Sequence, residues 1–419
     1  MMNEKKLILC DKLYDGIKDE LQDKMEVLVE DKMITAVGRE LPRDEYTEII
    51  DLSELTVTPG MIDAHVHASM LKWQELEQVH LQSESYSTLA YLHCAQRCLE
   101  RGFTSIRVNG MGPADFGVID VRNAIDNGLF AGARMKAAPH MLGGTGMPGD
   151  MSLYALGNPK VSDMIQLDFI GSGPDFFRDA VRREVKYGGD FIKMFISGSF
   201  MSPDGGPEVC FLADDELQMI INTAHDLAKP VTAHVYPAFM IKKLLKFGID
   251  GMEHGALMDE EAAELFEKSG KYLVTTFAPF EDTINIDEDD LAKKPIEAQI
   301  KLRKYAPMLR KSREIIVKSN IRLGFGSDFC AVHQPYESCY EYRAWMNTGM
   351  GPFRTLKAAT AENAKILGIE DMVGTIEPGK VADIAAWHRD LLTDPDALFE
   401  CDFVMKEGVQ YPTGNLVVD

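Results

Sequence analysis

The sequence predicts an α/β protein, a (β/α)8 (TIM) barrel carrying a small β-sandwich domain built from both chain ends. Three observations lead there. The middle of the chain alternates short apolar runs with helix-like segments, the pattern of parallel strands covered by helices. Both ends read instead as short strands between charged turns. The 419 residues exceed one small core and suit one large domain with a smaller one. The expected division gives the flanking β-domain 1–56 and 371–419, and the barrel 57–370.

At the N-terminus, LILC (7–10), MEVLVE (25–30) and MITAVG (33–38) read as strands. DIAAW (383–387) and FVMKEG (403–408) repeat that texture near the C-terminus. In the middle, apolar runs end near Val66, Val108, Ala138, Ile196, Val235, Met252, Thr276 and Gly326. Helical segments separate most of them, among them DDELQMIINTAHDLA (214–228) and DEEAAELFEKSG (259–270). A doubly wound open sheet is the alternative fold, but no GxGxxG follows the first of these runs. No short repeat of the solenoid kind is present.

Composition excludes several functions. Lys and Arg total 44 against 66 Asp and Glu, a net charge of −22. Such a surface repels nucleic-acid phosphates and anionic lipid, so the expected partner is a small molecule, with no nucleic acid and no membrane. The seven cysteines show no zinc-finger spacing and read as reduced thiols. No apolar run has the length of a membrane span, and the apolar stretch in MMNEKKLILC is short for a secretory signal. The expected compartment is the cytoplasm.

In a parallel barrel, chemistry collects where strands end. His65 and His67, in TPGMIDAHVHAS, stand two apart on the first of these strands and face one side. An HxH pair alone does not require a metal. Lys193, in GGDFIKMFISGS, lies within a strand, where a lysine either snorkels out or is desolvated. Desolvation lowers its pKa, and the neutral amine can add carbon dioxide to form an anionic carbamate. His234 in KPVTAHVYPAF, His254 in GIDGMEHGALMD and Asp328 in RLGFGSDFCAV also fall at strand ends. A structural histidine explains any one of these, but not all six positions together. Two divalent cations, offset by a carbamate, the Asp328 carboxylate and a hydroxide, leave a residual charge of about one. Imidazole and carboxylate donors favour zinc; manganese, cobalt or nickel would fit the same geometry.

These motifs resemble the amidohydrolase superfamily over essentially the whole chain. TPGMIDAHVH, FIKMFISGS, AHVY with MEHGALMDEE, and FGSD are similar to its first, lysine-bearing, fifth-and-sixth and eighth strands. AATAENAKILGIEDMVGTIEPGKVADIAAW is similar to its return into the small β-domain. Within that family the chain resembles the imidazolonepropionase-related, Xaa-Pro and Xaa-Arg dipeptidase-like binuclear hydrolases. FISGSFMSPDGGPEVCFLADDEL, the HxY of His234 and Tyr236, and VHQPYESCYEYRAWMNTGMGPFRTLKAAT carry that likeness. Two positions depart from it: Thr145 stands where such dipeptidases carry the histidine of a GGH, and the bulky Phe329 follows Asp328.

The resemblance implies that His65 and His67 hold one divalent ion with Asp328, and His234 and His254 hold another. Lys193 would bridge them as N6-carboxylysine. It implies a metal-bridging hydroxide attacking an amide, with Asp328 as general base and then acid. Tyr236, His140 and His333 are the candidate substrate contacts, each with a plain structural role as its alternative. The implied substrate is a dipeptide or N-acyl amino acid; a cyclic amide or a xenobiotic amide or carbamate is the alternative. Such enzymes are commonly homo-oligomers. A mononuclear deaminase or imidazolonase is disfavoured, because VYPAFM after His234 holds no glutamate and Lys193 argues for two metals. A catalytically dead scaffold need not keep six ligands.

Overall fold

The computed structural model describes residues 4–45, 47–70, 83–110, 116–150, 152, 157–164, 167–198, 200, 206–293, 296–331 and 337–414. The terminal strands form where the sequence places them, at Lys5–Leu13, Glu26–Glu30, Met33–Gly38, Ile384–Trp387 and Phe403–Lys406. They share one eight-stranded sheet. Its link is Thr47–Pro59, a 13-residue strand that sequence reasoning missed. It pairs in parallel with Lys5–Leu13 and antiparallel with Ile384–Trp387, which brings the two chain ends together. Its apolar alternation is broken by charges, and only the stretch Val57–Pro59 is continuously buried, so period-two patterning does not find it. Ile8, Val27, Val29, Val57, Ile384 and Met405 form a core belonging to this sheet.

The barrel strands are Met61–Met70, Phe103–Asn109, Arg134–Ala138, Ile192–Phe195, Val231–Pro237, Gly251–Leu257, Tyr272–Thr275 and Arg322–Phe325. The ladders between them are parallel. Met141–Gly144, past the expected strand end near Ala138, forms a further short strand that pairs with Ile192–Phe195. Strands with both faces covered need near-continuous apolar runs, and that is their pattern here. The covering helices are cut by local signals. Glu260–Ser269 starts where the Asp259 carboxylate accepts from the Ala262 amide at 2.7 Å. It stops at Gly270, whose φ of 66° suits a residue without a Cβ.

Two buried polar side chains join the last strand to the first. Asn363 donates to the carbonyls of Ile62 (2.6 Å) and Phe325 (2.8 Å), and its amide oxygen accepts from the Phe325 N–H (3.2 Å). Asp63 accepts from the His65 and Ser327 amides and, at 2.6 Å each, from the Ser327 and Ser338 hydroxyls. The strand carrying HxH is thus fixed to the loop carrying Asp328. Asn363 is fully buried, so Asn363→Ala strands three backbone groups and is expected to destabilise the fold by about 3 kcal/mol or more. Denaturant unfolding checks this; a loss under about 1 kcal/mol would mean that the seam is held elsewhere.

The barrel and the flanking sheet meet through charge as well as packing. Arg134, in the third barrel strand, pairs with Asp383 at 2.6 Å and Glu407 at 2.9 Å.

Candidate metal centre

Asp328 lies just beyond the strand Arg322–Phe325, whereas His65, His67, Lys193, His234 and His254 stand within their strands, short of the carboxyl ends where the sequence places them. Each is buried except Asp328, whose side chain is 22% exposed. Ring centroids lie 5.0 Å apart for His65 and His254, 5.2 Å for His65 and His67, and 4.5 Å for His234 and His254. One donor atom from each of His65, His254 and Asp328 lies within 4.8 Å of the others, which suits a shared cation. Strand six runs on to Leu257, beyond its expected end at Met252, because Pro237 still pairs with Leu257. His254 and Asp328 take left-handed φ values of 68° and 61°, a strained conformation that clusters at functional sites.

The hydrogen bonds set the imidazole tautomers. His67 Nδ1 lies 2.5 Å from the Gly110 carbonyl, which can only accept, so Nδ1 carries the proton and Nε2 a lone pair. That Nε2 points at Asp328 Oδ1, 3.0 Å away. His65 repeats the arrangement, with Nδ1 2.7 Å from Glu253 Oε2 and Nε2 3.2 Å from the same Asp328 oxygen. Lone pairs converging on a carboxylate oxygen repel unless a cation joins them. Meanwhile Nε2 of His65, His234 and His254 and Nζ of Lys193 are buried without a hydrogen-bond partner among the described residues. Natural proteins rarely leave such atoms unpaired. The residues present fit divalent metal.

Burial governs the titrations. It pushes His234 well down and His254 down to about 3, so both rings are neutral at pH 7. Burial also lowers Lys193 to about 8, with Arg107 pushing the same way and Glu253 and Asp328 opposing. Burial raises Asp328, but positive charge at the His65 and His67 nitrogens that face it, a proton or a cation in its place, holds the carboxyl well below the usual range. Burial raises the Tyr236 hydroxyl well above its ordinary value, so it stays protonated.

Around this centre stand residues that sequence reasoning did not single out. Glu253 is fully buried between His65, Arg107 and Thr232, whose hydroxyl donates at 2.5 Å. Arg107 also donates to the Ala64 carbonyl (2.7 Å) and to Tyr272 Oη (3.0 Å). Thr276 Oγ1 meets His254 Nδ1 at 2.7 Å. The signal for the first two was present, since an arginine in FTSIRVN and a glutamate in GMEHGAL each need a partner if their strands are buried.

The candidate substrate contacts separate. Tyr236 packs its ring 4.5 Å from His234 and 5.3 Å from His254, beside Phe200 and Phe280. His140 is engaged with the helix layer: its Nδ1 meets Glu184 of Pro174–Lys186 at 2.8 Å, and its ring stacks on Phe169. Thr145 is exposed just past Met141–Gly144, and Phe329 is buried opposite Val66. His333 lies outside the described residues.

Buried imidazoles, a carboxylate and a lysine without a partner among the described residues, gathered inside a parallel barrel, are the donor set of a metal-dependent hydrolase. The chain belongs to the amidohydrolase family, whose description matches residues 56–410, and it is an enzyme acting on carbon–nitrogen bonds. It is 27% identical to an ochratoxinase of Aspergillus niger, over 88% of this chain and 78% of that one. An imidazolonepropionase of Acinetobacter baumannii is 23% identical over 86% of each chain. Among solved structures, a Xaa-Pro dipeptidase with methionine bound in its active site superposes with a TM-score of 0.84 at 27% identity, covering 97% of this chain and 100% of that one. Among the described residues no helix is long and apolar enough to cross a membrane.

Proposed function

We propose that this protein hydrolyses the amide bond of a dipeptide or N-acyl amino acid, using two zinc ions. His65 and His67 with Asp328, and His234 with His254, are the proposed ligand sets, joined by Lys193 as its carbamate. The observation that carries the reading is the group of buried, unpartnered nitrogens on His65, His234, His254 and Lys193. Divalent metal at such a site supplies Lewis acidity, polarising an amide carbonyl and acidifying water.

The chain's own residues do the rest. Asp328, ionised at neutral pH, takes a proton from the attacking water and returns it to the leaving nitrogen. Tyr236, held protonated beside His234 and His254, donates a hydrogen bond to a substrate carboxylate or to the oxygen that gains charge. His254 and His234 stay neutral and fixed, His254 by Thr276 and His234 by stacking on Phe195 with centroids 4.0 Å apart. Residues 57–370 would form the hydrolase unit and the chain ends its flanking domain. The buried, reduced thiols of Cys10, Cys98 and Cys339 support a reducing compartment such as the cytoplasm.

A second reading, a cyclic or xenobiotic amide or carbamate, is favoured by Thr145 in place of the dipeptidase histidine and by the similarity to an ochratoxinase. One screen separates the two. Zinc- and bicarbonate-loaded protein is offered dipeptides, N-acyl amino acids, cyclic amides and carbamates, with products read by mass spectrometry. Cleavage confined to the first two classes is expected. Cleavage of the other classes alone would select the second reading, and no C–N cleavage by metal-loaded protein would overturn both.

A further inference from the structure

Glu253 lies directly beneath the proposed metal centre, and its two carboxylate oxygens have different duties. Oε1 receives Arg107 Nη2 and the Thr232 hydroxyl, and Oε2 receives His65 Nδ1 alone, at 2.7 Å. The guanidinium of Arg107 has only N–H donors. The atom facing it must therefore be an acceptor. Arg107 is itself held by the Ala64 carbonyl and Tyr272 Oη, and it is 2% exposed. It cannot swing aside without stranding a buried charge.

We propose that Glu253 is the positioning residue that fixes the tautomer of His65, and that Arg107 enforces its orientation. This rests on the metal-hydrolase reading only in that it assigns His65 Nε2 to a cation. With an acceptor at Oε2, His65 holds its proton on Nδ1 and leaves the Nε2 lone pair for the metal. Glu253 touches neither substrate nor reacting atoms; it acts through His65.

The arrangement makes an isosteric change disruptive. In Glu253→Gln the single amide oxygen must turn to Arg107, so the NH2 group turns to His65. His65 then accepts on Nδ1, moves its proton to Nε2 and loses the lone pair aimed at the metal site. Metal affinity is expected to fall about 10- to 100-fold with the side-chain volume unchanged. A second substitution should reverse this. With Arg107→Met added, no obligate donor faces the amide, and the Thr232 hydroxyl can accept from the NH2. The amide turns round, its oxygen again receives His65 Nδ1–H, and affinity recovers about tenfold over Glu253→Gln. A merely structural role for the pair predicts the opposite, with the double variant binding metal no better than the single one.

The test measures zinc affinity by chelator competition on stripped, bicarbonate-treated wild type, Glu253→Gln and the double variant. It is paired with 15N spectra of imidazole-labelled, metal-free protein at alkaline pH. The expected spectra show His65 protonated on Nδ1 in wild type and on Nε2 in Glu253→Gln. Should the double variant not fold, the single-variant spectrum decides. An Nδ1-protonated His65 in folded Glu253→Gln, or wild-type zinc affinity in that variant, would overturn the inference. A wild type that takes up no metal yet shows the tautomer change would count against the metal reading and leave the positioning role standing.

Discussion

Lys193→Ala is expected to lower turnover by about three orders of magnitude, roughly 4 kcal/mol of lost transition-state stabilisation. Lys193 sits in the short strand Ile192–Phe195, 1% exposed, with no hydrogen-bond partner at Nζ. An ammonium there would be a buried, unpaired charge, and burial answers by bringing the pKa down to about 8. About a tenth is then free amine at pH 7, and about half at pH 8. The nitrogen lone pair adds to carbon dioxide and loses one proton, giving an anion with two oxygens. In the proposed two-metal site such an anion would offset the repulsion that Asp328 alone cannot. Alanine removes the bridge and leaves a cavity, so acetate or propionate should enter and restore part of the activity. The free-amine fraction grows as pH rises through about 8, so stripped enzyme should regain activity with zinc and bicarbonate faster above that pH than below it. Full activity in the alanine variant, read as kcat with metal content measured in parallel, would remove the bridge from the mechanism.

The six proposed ligands were legible because barrel geometry makes position along a strand equivalent to position in space. Once the strand ends are found, side chains from separate strands must converge at one mouth. The same logic does not reach Glu253 or Arg107. They lie one layer below the mouth, and a one-dimensional pattern shows each as an isolated charge in an apolar run. Only their pairing, made across separate strands, shows why both are tolerated. Thr276 was invisible for another reason, since nothing in the composition of YLVTTFAPF marks one threonine as the partner of His254. The missed strand Thr47–Pro59 is a failure of period: it serves two environments along its length, so no single alternation runs through it. The substrate is the least legible part. Tyr236 sits on a strand and is placed, whereas His333 lies outside the described residues.

Asp328→Asn should cut kcat by about 10²- to 10⁴-fold, the range of a lost general acid–base group, with bound zinc near the wild-type level. The substitution isolates proton transfer unusually well. Asp328 holds a φ of 61°, and asparagine is among the few residues that accept the left-handed region, so the backbone need not move. The asparagine carboxamide oxygen can stand where Oδ1 stands, 3.0 Å from His67 Nε2 and 3.2 Å from His65 Nε2, and can still face a cation. What it cannot do is take up and release a proton. Among the described neighbours, Tyr236, His234 and His254 are not poised to replace that function at neutral pH. Tyr236 stays protonated, and His234 and His254 direct their free nitrogens at the metal site. In the wild type, kcat/KM should fall in acid as the carboxylate protonates. Because positive charge between that group and His65 and His67 holds it well below the usual range, the fall begins at lower pH than an ordinary aspartate would give. The asparagine variant should lack that acid limb at pH values where metal stays bound. Turnover above about a tenth of wild type, or an unchanged pH profile, would assign the proton to another group and leave Asp328 as a ligand alone.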